Sequence, residues 1–305
     1  MATLYTQKSR NNFKTALLMG LFLAFVVGLG YFASVYFDNP GILYIALVIS
    51  IVMNIGSYWF SDKIALSING AKEADSKEFL ELHRIVENLS ITAGLPKPKV
   101  YVIYDSAPNA FATGRNKDHA AVAVTTGLLE ILDRSELEGV IAHELGHIGN
   151  KDILLQSVVA VLVGLIAMAS DWLMRISLHG NRDGDNKAHP FFLIIGIFLL
   201  IFAPFIATLI QLAISRRREF LADTTGALLT RYPEGLANAL HKISDHNHPM
   251  IKANKATAHM FIATPLGGDQ DNDGIPDKHQ KVSFLAKMFM THPPVEERIN
   301  ALLGK

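Results

Sequence analysis

Four stretches of the chain carry hydrophobic residues almost without interruption. Residues 15–37 hold no charge over 23 positions, and residues 41–60 hold none over 20. Residues 153–174 are apolar apart from Gln156 and Asp171, and residues 191–214 are charge-free over 24 positions that include Pro204. A helix needs about 20 residues to cross the hydrocarbon core of a bilayer, so each run is long enough. The first run is too long for a signal-peptide core and lacks a small-residue cleavage pattern, so it reads as an anchor. The alternative for the third and fourth runs is a buried hairpin in a soluble domain, but buried helices seldom stay charge-free for this long. Between and after the runs the pattern changes. Residues 76–93 place Phe79, Leu82, Val86 and Leu89 on one helical face, with Gly94 closing the helix. Residues 99–104 and 120–125 (AAVAVT) read as strands. Ser135-Glu136-Leu137-Glu138 reads as a capping box opening the next helix.

The expected fold is therefore mainly α with a small β-sheet, an α+β arrangement on a four-helix transmembrane anchor. Its parts are residues 1–60 (tail and first hairpin), 61–152 (soluble), 153–214 (second hairpin) and 215–305 (soluble). Lys8, Arg10 and Lys14 precede the first span, Lys63, Lys72 and Lys77 follow the second, and Arg216, Arg217 and Arg218 follow the fourth. Positive charge collects on the cytoplasmic side, which places both termini and residues 61–152 there.

Composition narrows the chemistry. Half the residues are hydrophobic, 18% are charged, and mean hydropathy is +0.25, as in a membrane protein with a sizeable soluble part. Lys+Arg and Asp+Glu both number 28, so no net charge steers the chain toward nucleic acid. The chain has no cysteine, which leaves His, Asp and Glu as metal ligands.

Such ligands occur at a telling spacing. His143-Glu144-Leu145-Gly146-His147 puts two imidazoles four residues apart, one turn along one helical face. Both can reach a single zinc ion, and Glu144 beside them can take a proton from the attacking water. A catalytic site needs a third protein ligand and an open fourth position. Glu219-Phe220-Leu221-Ala222-Asp223 again has a spacing of four. Glu219 is the expected third ligand, and Asp223 the acceptor from the far nitrogen of His143 or His147. Membrane topology supports the pairing. His147 lies six residues before the third span and Glu219 five after the fourth. Two crossings bring the chain back to the side it left, so half-sites 72 positions apart meet on one face.

At this point the chain resembles the HtpX-type membrane zinc proteases, relatives of the CAAX prenyl protease. The likeness rests on the two N-terminal spans, Asn109-Ala110-Phe111-Ala112, Thr126-Gly127-Leu128-Leu129, HELGH, the ExxxD within RRREFLAD, and Thr291-His292-Pro293-Pro294 followed by Arg298. It implies a zincin-like catalytic domain with one Zn²⁺ per chain. It also implies endopeptidase activity at a bacterial cytoplasmic membrane, on misfolded or damaged membrane proteins under stress. The resemblance further implies that the strand Ala121, Val122, Ala123, Val124 is the edge pairing with an extended substrate. Asn109 would hold substrate backbone, His292 would help stabilise the oxyanion, and Arg298 would brace the site carboxylates.

Other readings are set against this one. A catalytically inactive adaptor would keep the fold, but His143, Glu144, His147 and Glu219 are all intact. A transporter would carry ionisable residues within its spans, and the first, second and fourth have none. Asp269-Gln270-Asp271-Asn272-Asp273-Gly274 alternates carboxylates ahead of a glycine as calcium loops do, but Gln280 stands where an EF-hand closes with Glu. It reads as a solvated acidic loop, with a weak calcium site as the alternative. His241, His246, His248 and His259 are too irregularly spaced for a second metal site and read as surface histidines.

Overall fold

The computed structural model describes residues 4–179, 216–246, 248–254, 256–266 and 293–304. The N-terminal run forms α1 (Leu4–Tyr36) and α2 (Gly41–Ile68). They are joined by a turn in which Asp38 takes a positive φ of 49° and the Asn39 side chain accepts from Gly41 N at 2.9 Å. Gly30 of α1 lies against Ala46 of α2, where any side chain would collide, so the two helices cross closely. Their outer faces leave Tyr31, Phe32, Val35, Tyr44, Ile45 and Val48 exposed, an apolar belt that suits lipid. Both are long and apolar enough to cross a membrane. The boundary expected at residue 60 falls inside α2. No breaker follows Phe60, so the helix runs on until Ala65 and Leu66 pack with Ile103, Phe111 and Ala121 beneath the sheet.

The soluble core holds a four-stranded sheet. Its strands are β1 (Lys72–Glu73), β2 (Lys99–Ile103), β3 (Ala110–Gly114) and β4 (Ala120–Thr125), in the order β1-β2-β4-β3. β2 and β4 are parallel, and the other pairs are antiparallel. β4 therefore lies inside the sheet, paired with β2 on one side and β3 on the other. This corrects the expectation that Ala121, Val122, Ala123 and Val124 form the substrate edge, because their backbone groups are already shared between two neighbours. The outer strand on the β4 side is β3. Its sequence, AFATG, is small and lacks polar alternation because all five positions are buried.

Three helices accompany these strands in the chain. α3 (Leu80–Ala93) buries Leu82, Ile85, Val86 and Leu89 and ends on Gly94 at φ 64°. It starts later than its apolar pattern does, because the Asp75 carboxylate first caps the amides of Lys77 and Glu78. After the short α4 (Thr126–Ile131), α5 (Arg134–Gly149) runs through the core. Its capping box uses Asp133 and Glu136, two residues earlier than Ser135 and Glu138. Glu136 Oε2 accepts from Asp133 N at 2.8 Å and is held by Lys242 at 2.6 Å, while Ser135 spends its hydroxyl on Asp133.

α6 (Asp152–His179) covers the third apolar run and leaves α5 at 86° after a two-residue break at which Lys151 takes φ 60°. The fourth run, 191–214, lies outside the described residues. The chain then forms α7 (Arg216–Thr230), α8 (Pro233–Asp245) and α9 (Val295–Leu303).

Gly127, the first turn of α4, sits directly on the Ser106 carbonyl, and an added Cβ would overlap that oxygen. Backbone cannot give way as a flexible side chain does. Gly127→Ala is expected to destabilise the fold by about 3 kcal/mol or more, the upper end of overpacking costs. Thermal unfolding of the detergent-solubilised protein would measure it, and an unchanged midpoint would refute it.

Candidate metal centre

α5 and α7 meet through glycines. Gly226 of α7 packs where a Cβ would lie 3.0 Å from His143 N, and Gly146 of α5 packs where a Cβ would lie 3.3 Å from Ala222. This close approach puts the HELGH turn opposite the carboxylates of α7. His143 Nε2 and His147 Nε2 lie 3.2 Å apart. Glu219 faces both, with Oε2 at 3.9 Å from His143 Nε2 and Oε1 at 3.5 Å from His147 Nε2. Among the described residues these three form the one cluster with the spacing of a metal site, and all three are buried.

The far side of each imidazole fixes its tautomer. His143 Nδ1 donates to Asp223 at 2.9 Å, so of the two histidines it is His143 that Asp223 orients. His147 Nδ1 lies 3.3 Å from Asp152 Oδ2. With both Nδ1 atoms turned to carboxylates, both Nε2 lone pairs converge on the Glu219 carboxylate. Three buried acceptors facing one another, with no donor among them, fit a cation. Two imidazoles and a carboxylate also match a divalent site that keeps one position open.

Arg298, 1% exposed, braces the arrangement. Its Nε and Nη2 fork onto Asp223 at 2.9 and 2.6 Å, and its Nη1 lies 4.0 Å from Glu219 Oε2.

Burial and neighbouring charges set the protonation of these groups. Burial holds His143 down at about 4 against the pull of Asp223. Burial also works downward on His147, yet Glu219, Asp152 and Glu144 together outweigh it and lift that group to about 9. Protonation and metal binding therefore compete for the His147 imidazole. Asp223 is raised by burial but brought down to about 2 by Arg298 and His143. Glu144 is pushed up to about 7, chiefly by burial, with His147 opposing and Glu219 adding to the rise. Its Oε2 is buried with no hydrogen-bond partner among the described residues.

The outer side of β3 passes Glu144, whose carboxylate receives a hydrogen bond from the Ala112 backbone N–H. The start of this edge is occupied. Ile262 N donates to Ala110 O at 2.9 Å, and Phe111 faces Phe261 in an antiparallel bridge. Asn109 belongs to that arrangement. It is 1% exposed, donates to Ala263 O at 2.9 Å and accepts from Ala263 N at 3.2 Å. The backbone it holds is the protein's own, which corrects its expected contact with substrate.

His292 and the Asp269–Asp277 loop lie outside the described residues. His241 and His246 are exposed and locally bonded, to Asp245 and to the Lys242 carbonyl, and His248 reaches Ser106. His259 is not a surface residue, since it is buried against the Gln156 carbonyl at 3.1 Å. Asp152 and Arg218 escaped the sequence reading. The available signal was an acid five residues after His147, at the point where α6 turns away.

Comparison with known proteins agrees with this geometry. The profile of peptidase family M48 matches residues 76–305. A "Protease HtpX homolog" of Caldanaerobacter subterraneus subsp. tengcongensis is 46% identical over 98% of this chain and 97% of its own length. Another from Pyrococcus furiosus is 46% identical over 95% of this chain and 94% of its own. A crystal structure of S. mikatae Ste24p aligns with a TM-score of 0.49 and 21% identity, over 94% of this chain and 65% of that one. A profile that takes in both halves of the metal cluster, and relatives that match it end to end, place this chain in peptidase family M48.

Proposed function

We propose that this chain is a zinc-dependent endopeptidase held in the bacterial cytoplasmic membrane as a multi-pass protein, with its catalytic domain facing the cytoplasm. The observation that carries the reading is the convergence of His143 Nε2, His147 Nε2 and the Glu219 carboxylate beside a buried, unpartnered Glu144 oxygen. Zinc suits two imidazoles, one carboxylate and an open position, and when bound it supplies Lewis acidity and brings the pKa of water toward about 7.

The chain's own residues do the rest. Glu144, held near neutrality by burial, takes a proton from the attacking water and delivers it to the leaving amine. His292 is the proposed second stabiliser of the oxyanion. Asp223 and Arg298 keep His143 aligned. An extended substrate pairs with the outer side of β3 beyond Phe111, where the Ala112 amide borders Glu144. Backbone pairing supplies affinity with little sequence selectivity, which suits misfolded or damaged membrane proteins as substrates under stress.

Detergent-purified protein is expected to degrade casein, to stop when a zinc chelator is added, and to resume when zinc is returned. Cleavage that ignores the chelator would remove the metal from the reaction. Absent cleavage with the ion bound would favour an inactive adaptor.

A further inference from the structure

Each of the two histidines has its own carboxylate and its own arginine. His143 is backed by Asp223, and Asp223 by Arg298. On the other side, His147 Nδ1 faces Asp152 Oδ2 at 3.3 Å, and Asp152 Oδ1 faces Arg218 Nη1 at 3.4 Å. The Asp152 side chain is 2% exposed and that of Arg218 is 11% exposed, whereas Arg217 beside it is exposed. The third arginine of the cluster that reads as a topology signal is thus drawn inward to the site.

The second clamp is also placed differently from the first. Asp152 is the first residue of α6, reached through the sharp turn at Asn150 and Lys151, and Arg218 immediately precedes the ligand Glu219 on α7. Asp152 thus opens the third apolar run, and Arg218 lies in the first turn of the helix that follows the fourth run in sequence. The first clamp, by contrast, closes through α9 in the soluble domain.

We infer that Asp152, steadied by Arg218, is the positioning residue of His147. A carboxylate behind a ligating imidazole fixes which ring nitrogen faces the ion and raises its basicity. Asp152 fills that place for His147. The competing explanation is that an acid in the first turn merely favours the start of α6. A helix-start role would show in thermal stability and leave the Co²⁺ spectrum alone, so the spectrum of Asp152→Asn separates the two. The substitution keeps an acceptor for Nδ1–H but removes the charge. This inference rests on the metal-centre reading above.

The test is metal binding by the full-length, detergent-solubilised protein after stripping with a chelator. Zinc affinity is read by competition with a chromophoric chelator, and Co²⁺ is added as a spectroscopic stand-in. Asp152→Asn is expected to weaken zinc by roughly 10–100-fold, the usual range for loss of such a partner. Asp152→Ala should lose at least as much, and Arg218→Met should shift affinity in the same direction by a smaller factor. The visible Co²⁺ bands should change in the Asp152 variants, because His147 loses its charged acceptor. Asp118→Asn, on the exposed turn between β3 and β4, should match the parent. Parental zinc affinity and an unaltered Co²⁺ spectrum in Asp152→Asn would overturn the inference while leaving the peptidase reading intact. If Asp152→Ala does not fold, Asp152→Asn and Arg218→Met decide the question. A parent chain that binds neither ion would overturn this inference and the metal-centre reading together.

Discussion

Glu144→Gln is expected to retain one zinc ion per chain and to lose cleavage by roughly 10²–10⁴-fold, the contribution general acid–base catalysis usually makes. Glutamine has nearly the same shape, so the cavity around the buried Oε2 position is preserved and the ligands His143, His147 and Glu219 are untouched. What is removed is the ability to accept a proton. Burial has lifted this carboxyl to about 7, so it works as a base near neutral pH and readily gives the proton up again. Metal analysis of the purified variant beside a casein assay makes the comparison. Turnover close to the parental rate would take Glu144 out of the mechanism.

Arg298→Met should be the most damaging change outside the ligands themselves. It strips a buried guanidinium from a buried carboxylate, leaving Asp223 charged, 2% exposed and without its forked partner. Breaking such a pair costs about 3–5 kcal/mol. Pairing Arg298→Met with Asp223→Leu removes both charges and should restore much of the stability. It should not restore metal affinity, because His143 Nδ1 then has no acceptor to hold its ring. Chemical denaturation and zinc titration of the single and double variants would show the two properties parting. Equal instability of the single and double variants would mean that Arg298 acts through packing, not charge.

The parts of this molecule that could be read from the sequence are those governed by local spacing. Residues four apart on a helix must share a face, so His143 with His147 and Glu219 with Asp223 were visible before any fold was known. The apolar runs revealed α1 and α2 for the same reason, since helix length and hydrophobicity are local properties. Strand order is not local. Ala121–Val124 reads as an edge or as a central strand with equal ease, and only the pairing of β3 on its far side decides. β3 itself escaped notice because AFATG is buried throughout and so has no polar alternation to show. The substrate contact expected of Asn109 comes from the family resemblance and not from any local spacing. The fold gives it Ala263 instead. Asp152 was hidden by the 86° turn between α5 and α6, which brings back beside His147 a residue that a straight helix would have carried past it.

The continuity of α2 has a mechanical meaning. Ala65 lies five residues beyond Phe60, about 7.5 Å along the axis at helical rise, and it already packs under Phe111. A rod with no joint between lipid and sheet cannot tilt at one end alone. Any motion that leans the first hairpin must carry with it the residues packed beneath β3.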